Sequence, residues 1–268
     1  GIDPFALGVQ MCQTWADAIN VSMEHDVALD YSAVRAFMKG LVDGGPTRSG
    51  HRFPCVFTTS PVIGLDEAYM RANSWVLSSI LDCGVMGTHL CHARDAKAVQ
   101  VAAQMAVRYP FDYPDTPKLP WEGLRSSSAN YAAEVWGMST NQYVRLADTW
   151  PLNPEGEVLV VIMCEEKRAI RNLPKMLDEV KGIGVVLVGE GDLSQDMGYP
   201  RQYEHPEVAA AIDDILAICK DKGVPCGHPH VDSNNVEKLV EKGFRWLMPA
   251  PTQSFAALQK GLSACGRK

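Results

Sequence analysis

Glu157-VLVVIMCEE-Lys167 and Val185-VLVGEGDLSQDM-Gly198 decide the fold. Each is an apolar run rich in β-branched residues that ends abruptly at acids, Glu165 in the first and Asp192 in the second. A strand buried on both faces reads as a continuous apolar run, and a parallel barrel delivers polar groups at the carboxyl ends of such strands. Downstream the pattern alternates: a helix over Lys167 to Val180, then one over Pro206 to Lys222, a strand over Val224 to His228, a helix over Asn234 to Lys242, a strand over Phe244 to Met248 and a helix over Thr252 to Ala264. Gly182, Gly223 and Gly243 stand where carboxyl caps of helices are needed. This rhythm predicts a parallel α/β architecture.

Upstream, the same rhythm is looser. Asp3-PFALGVQMCQTWAD-Asp17 has Pro behind an Asp and apolar residues at helical spacing. Strands follow at Ala18-INVSMEHD, Phe53-PCVFTT and Val85-MGTHLCH, with helices over Tyr31 to Leu41, from Leu65 to Leu81 and over Ala96 to Val107. Between Tyr109 and Leu152 the periodicity fails, with Pro110, Pro114, Pro117 and Pro120, a triple Ser and scattered aromatics, and a segment of this kind is expected over the barrel mouth as a lid or at an oligomer contact. Seven strands can be counted where a closed (β/α)8 barrel requires eight, so the expectation is one barrel domain over 1–268 whose first strand is missing from the N-terminus, with an open seven-stranded sheet as the alternative.

Bulk numbers agree with one such domain. The 268 residues are 46% hydrophobic and 21% charged, with a formal net charge of −7, which argues against nucleic acid or an anionic membrane as a general partner. The eight cysteines form no CxxC pair and sit largely within apolar runs, so a cytoplasmic setting is expected. No apolar run is long enough to span a bilayer.

Glu165 and Asp192, at the mouths of adjacent strands, suit an octahedral Mg²⁺ or Mn²⁺ ion that keeps positions open for water and a chelating substrate. The same acids also fit a second role as caps of the helices that follow, and Glu166 is a rival ligand. Gly189-EGDLS presents consecutive backbone N–H groups able to hold a carboxylate, or forms a plain turn. Glu24 and His25 end a strand, and Asp82 could orient a histidine from a neighbouring loop as a proton shuttle. His228 and His230, two apart, share a strand face and could meet one ion, whereas His89 and His92 could not.

Val21-SMEH, Cys164-Glu165 with Ala169 and Asn172-LP, and Gly189-EGDLSQDMG resemble the HpcH/HpaI aldolase and citrate lyase family of metal-dependent class II pyruvate aldolases. Leu81-DCG, Arg108-YP and Gly123-LR are weaker echoes, and the resemblance runs from Ala16 to about Leu262. It implies a (β/α)8 barrel, usually a hexamer, with Glu165 and Asp192 as ligands of Mg²⁺, Mn²⁺ or Co²⁺. It implies a 2-oxo-acid substrate with an aldehyde or ketone co-substrate, carbon–carbon lyase chemistry, backbone N–H groups of Gly191 and Asp192 near the substrate carboxylate, and a His25–Asp82 acid/base dyad. The chain departs from the pattern at Ser22, where the family has Asp, at Met163, where it has Gln, and at Phe57 or Thr58, where it has the catalytic Arg. Arg71 is the expected substitute for that Arg; Ser22, Met163, Phe57, Gly189 and Gly191 are expected to line the substrate site. The alternative function is a divergent barrel that binds metal or ligand without aldolase turnover, or performs another metal-assisted lyase or hydrolase step.

Overall fold

The computed structural model describes residues 3–25, 29–110, 118, 121–249 and 255–267. Helix α1 (Pro4–Met11) leads into β1 (Ala18–Ser22), α2 (Tyr31–Asp43), β2 (Cys55–Ile63), α3 (Glu67–Leu81), β3 (Gly87–Cys91) and α4 (Ala96–Val101), which runs on into a π-helical turn. Then come α5 (Asn130–Trp136), α6 (Thr140–Leu146), the short β4 (Thr149–Trp150), β5 (Val158–Cys164), α7 (Lys167–Glu179), β6 (Ile183–Val188), α8 (Glu190–Asp196) and α9 (Pro206–Lys222). The chain continues with β7 (Cys226–Val231), α10 (Val236–Lys242), β8 (Trp246–Pro249) and α11 (Ala256–Ala264). Residues 252–254 of the last expected helix lie outside the described residues.

All strand pairs are parallel, along the path β1-β2-β3-β5-β6-β7-β8, with β4 pairing off it beside the start of β5. The result is the curled sheet of a (β/α) barrel, one strand short of closure, as the count of apolar runs predicts. Among the described residues β1 and β8 do not pair with each other. Between these two edges lies a cavity of about 520 Å³, lined by Ile19, Phe57, His89, Val231, Trp246 and Leu247 among others.

The alternation on β5 shows how the sheet aims its residues. Val158, Val160, Ile162 and Cys164 join the large core between sheet and helices. Val161 packs with Val185 and Leu187 in a separate cluster inside the curl, with Leu159 and Met163 against it. Successive side chains alternate faces, so Glu165 continues the inward set and Glu166 the outward one.

In the segment from Tyr109 to Leu152, residues 111–117 and 119–120 lie outside the described residues, 121–129 are irregular, and regular elements return from Asn130. That part supplies α5, α6 and β4, and packs at the amino-terminal ends of the strands, which we call the floor. There Arg52 donates to the Val135 carbonyl at 2.9 Å, and Trp136 Nε1 donates to the Gly84 carbonyl at 2.8 Å. A capping box at Ser139 and Gln142 starts α6, a helix signal that the density of aromatics and prolines obscured. Six of the eight cysteines are buried and all are unpaired. Among the described residues no helix is long and apolar enough to cross a membrane.

Candidate active site at the barrel mouth

Because every strand points the same way, the carboxyl ends of β1, β3, β5 and β6 converge. Glu165, one residue past β5, is 2% exposed and directed into the mouth. Its Oε1 accepts the His92 backbone N–H at 2.5 Å. A side chain at Gly189 would place Cβ 2.3 Å from Glu165 Oε2, so a glycine at the inward end of β6 makes room for this carboxyl.

Three acids share the space. The Glu165 carboxyl is raised to about 7: burial raises it most, the His92 N–H and ring lower it, and the charges of Asp192 and Glu24 raise it. Glu24 Oε2 lies 3.2 Å from Cys91 Sγ, which in turn lies 3.8 Å from Met163 Sδ. Burial and the negative charges of Glu24, Glu165 and Asp192 push the Cys91 thiol far up, leaving it a neutral neighbour of the acids. Asp192 is exposed, in the first turn of α8.

Glu166 is engaged elsewhere. Its Oε1 is 2.7 Å from His92 Nδ1 and 3.2 Å from Arg94 Nη2. That leaves Glu165 and Asp192, with Glu24 nearby, as the oxygen donors facing the mouth. Among the described residues no group of three or more His, Cys, Asp or Glu is arranged to hold an ion by itself. The donor set instead fits a hard divalent cation that takes few protein ligands and fills its shell with water and substrate. A buried carboxyl beside two further acids, with only the His92 ring, 3.6 Å away, to offset them among the described residues, is the observation favouring that fit.

His25 stands on the rim, 74% exposed at its side chain, with Nε2 3.3 Å from Glu24 Oε2. Its backbone N–H donates to Ser22 Oγ at 3.2 Å. His25, Gly191, Asp192, Gln195 and Arg201 line a polar cavity of about 220 Å³. This is smaller than the cavity at the open edges, but it is the one that Asp192 lines. Arg201 went unnoticed in the sequence because it stands in a turn just after a Pro, with no apolar run leading to it.

The expected partner of His25 is not at the mouth. Asp82 caps the carboxyl end of α3 and binds Arg125 Nη2 at 2.9 Å. It therefore precedes β3 while His25 follows β1, at opposite ends of a parallel sheet, and within one chain the dyad is not formed. Arg71 is also displaced from its expected role: it is half-exposed on α3, where it binds Glu67 at 2.8 Å and lies 5.4 Å from the Trp121 ring. Phe57 pairs in register with Gly87, which pairs with Leu159, six residues before Glu165. That offset is roughly 20 Å of strand, so Phe57 belongs to the cavity between β1 and β8, stacked on His89 and edge-on to Trp246. Ser22 lines that cavity too, whereas Met163 lies one inward step below Glu165.

The histidine pair on β7 does converge, but on an acid. His230 Nδ1 bonds Glu190 Oε1, and His228 Nε2 lies 3.7 Å from Glu190 Oε2. The charge of Glu190 is thus met from its own side of the mouth. His89 is wholly buried and neither ring nitrogen has a hydrogen-bond partner, and burial lowers it to about 4.

Comparison with known proteins places this arrangement. The profile of the HpcH/HpaI aldolase/citrate lyase family matches residues 94–248. A pyruvate aldolase of Rhizobium etli is 31% identical over 168 residues, covering 63% of this chain and 58% of that protein. A 4-hydroxy-2-oxo-heptane-1,7-dioate aldolase of Escherichia coli is 34% identical over 87 residues, 32% of this chain and 33% of that one. The matches thus span less than two thirds of these relatives. Among solved structures, an HpcH/HpaI aldolase/citrate lyase family protein from Burkholderia cenocepacia superposes with a TM-score of 0.72 at 19% identity, covering 97% of this chain and 88% of that one. Macrophomate synthase does so with a TM-score of 0.64 at 19% identity, covering 91% and 74%.

Proposed function

This chain belongs to the HpcH/HpaI aldolase/citrate lyase family, and from that premise we propose that it is a metal-dependent carbon–carbon lyase acting on a 2-oxo acid through the barrel mouth. One observation carries the reading: Glu165 is buried at the end of β5, faces Asp192 and Glu24, and is protonated more readily than an ordinary carboxyl because burial, with the two acids beside it, outweighs the lowering by His92. Glu165 and Asp192 would hold Mg²⁺, Mn²⁺ or Co²⁺. Bound there, such an ion supplies Lewis acidity toward the oxygens of a chelated 2-oxo acid.

The chain's own residues do the rest. The His92 backbone N–H keeps Glu165 in one orientation, and Gly189 leaves that carboxyl its space. Backbone N–H groups of Gly191 and Asp192 are available to the substrate carboxylate. His25 on the rim takes or returns a proton on the reacting carbon chain, oriented by Glu24 at 3.3 Å in place of Asp82. Met163 and the neutral Cys91 form the less polar wall beneath.

The test is pyruvate release from 4-hydroxy-2-oxo acids after EDTA treatment and after restoring Mg²⁺, Mn²⁺ or Co²⁺. Release that needs the ion, and that drops about a hundredfold or more in Glu165→Gln and Asp192→Asn, is the expected result. Turnover indifferent to EDTA or to both substitutions sinks the metal assignment. A second reading, a barrel that binds a ligand without turnover, draws on the sequence of β2, Cys55–Ile63, which brings no cation to the interior. Binding of pyruvate without exchange of its C3 protons would favour it.

A further inference from the structure

We propose, resting on the lyase reading above, that His230, held by Glu190, is a second catalytic residue of the mouth: it takes the proton of the hydroxyl on C4 of a 4-hydroxy-2-oxo acid as the carbon–carbon bond breaks.

Cleavage of such an acid moves protons at two atoms. The hydroxyl gives its proton to the base, and the O–H electron pair becomes the second bond of the aldehyde carbonyl. The C3–C4 pair moves between C3 and C2, and the C2 carbonyl oxygen takes the negative charge of the enolate. C3 then accepts a proton, which completes pyruvate. The proton taken from the hydroxyl passes to solvent, and the donor at C3 is refilled from solvent, so both groups return to their starting states. His25 and Glu24 serve C3; the hydroxyl, one carbon further along, is left for a base of its own.

The chain builds such a base at the end of β7. His230 Nδ1 bonds Glu190 Oε1, on a carboxylate that is 5% exposed. His228 Nε2 stands 3.7 Å from the other oxygen, so this carboxylate is held from both sides. Tyr203 stacks on the His230 ring, with centres 5.1 Å apart and planes 19° from parallel. Asn235 Nδ2 donates to the His230 carbonyl at 3.1 Å. The His230 backbone, at φ 52°, occupies the left-handed region, where a non-glycine residue is uncommon and persists only if its surroundings hold it there. These restraints fix a side chain that is 54% exposed, and among the described residues no hydrogen bond reaches its Nε2. An imidazole with one nitrogen on a buried carboxylate and the other open has the form of a general base with its orienting group.

Its position suits the same role. Glu190 opens α8 two residues before Asp192, so the ring is tied to the turn that bears a proposed cation ligand. β7 runs parallel to β6, which puts its carboxyl end at the mouth. His92 also has a carboxylate on Nδ1, but that carboxylate is shared with Arg94, and the ring, 25% exposed, lies 3.6 Å from Glu165. His92 therefore serves the acids, and His230 is the ring left to the substrate.

The experiment measures two reactions with Mg²⁺ in the wild type, His230→Gln, His230→Ala and Glu190→Gln: pyruvate release from 4-hydroxy-2-oxopentanoate, and exchange of the C3 protons of pyruvate. The expected result is a fall of about a hundredfold or more in kcat for release in both His230 variants, with C3 exchange within about twofold of the wild type. Imidazole in solution should restore part of the release in His230→Ala. Glu190→Gln, which removes the orienting charge, should lower kcat for release about tenfold with little change in KM. Release unchanged in His230→Gln, or release and exchange falling together in both His230 variants, overturns the assignment of His230 and leaves the lyase reading standing. A wild type that releases no pyruvate with the ion restored overturns the lyase reading, and the role of His230 with it.

Discussion

Buried charge occurs at both ends of the barrel, and the two ends treat it differently. At the floor, Asp148 receives Arg108 Nε at 2.6 Å, Arg108 Nη2 at 3.1 Å, the Thr149 N–H at 2.8 Å and Asn153 Nδ2 at 3.1 Å. Nearby Arg125 binds Asp82 and the Tyr143 hydroxyl and lies 4.4 Å from the centre of the Tyr109 ring. At the mouth, Glu165 has one backbone donor, the His92 ring at 3.6 Å, which is itself bonded to Glu166, and two acidic neighbours. Apart from Arg125 Nε, which is buried without a hydrogen-bond partner, the floor's charges are paired; paired charge resists change and holds elements together, while an acid cluster short of donors is poised to accept a ligand. The floor is where the helices that β1 to β5 require are tied to one another. The mouth is where chemistry is expected.

The largest effect expected from breaking this contrast lies at the floor. Arg108→Met leaves the Asp148 carboxylate buried without its cation, which costs about 3–5 kcal/mol for pairs of this kind. Urea unfolding should show that loss at neutral pH with or without a divalent ion. A change under about 1 kcal/mol would mean that the pair behaves like a surface salt bridge and that the contrast is false.

At the mouth the sign reverses. Glu165 titrates near 7 when folded and near 4.5 when unfolded. The folded state therefore holds its proton longer, so the contribution of this group to stability is intact below about pH 4.5 and is lost as pH rises toward 7. The loss is at most about 3 kcal/mol for a shift of this size. Metal-free protein should thus become less stable across that window, Glu165→Gln should flatten the dependence and be more stable at pH 8, and Mg²⁺ should restore the wild type but not the variant. Melting temperatures against pH, with EDTA and with Mg²⁺, check all three. A wild-type profile that is flat in EDTA would remove the unsatisfied acid from the mouth.

The contrast also explains what the sequence could and could not reveal. On β5 both faces are buried, so Val158-LVVIMC reads as a strand and its first acids mark the mouth. Helix α9 was legible to the residue because Pro206 opens it and Gly223, at φ 67°, closes it. Contacts across long separations were not legible. Asp82 looks like a free acid at a helix end until Arg125 is seen folding back onto it, and the tyrosines around that Arg sit in a stretch whose prolines disguise two helices. Phe57 was placed near the acids because a strand position says nothing about height in the barrel; only the register with Gly87 and Leu159 does. Arg201 depends on a backbone conformation that its residue type does not announce.

Asp82 offers the smallest and sharpest test. It is 27% exposed at its side chain and its partner Arg125 is almost fully buried. Removing the negative charge leaves the guanidinium with the Tyr143 hydroxyl and a neighbouring carbonyl, so Asp82→Asn should cost about 1–2 kcal/mol, less than Arg108→Met. Because His25 lies at the other end of the sheet and faces Glu24, the same substitution should leave proton exchange at C3 of pyruvate within about twofold, while Glu24→Gln should slow it about tenfold. Exchange that fails in Asp82→Asn, at unchanged stability, would place this acid beside a His25 through assembly of chains and would move it from the floor's group to the mouth's. Exchange that survives, with lowered stability, assigns the proton chemistry of the mouth to Glu24 and His25 and leaves Asp82 to hold α3 against the strap that carries Arg125.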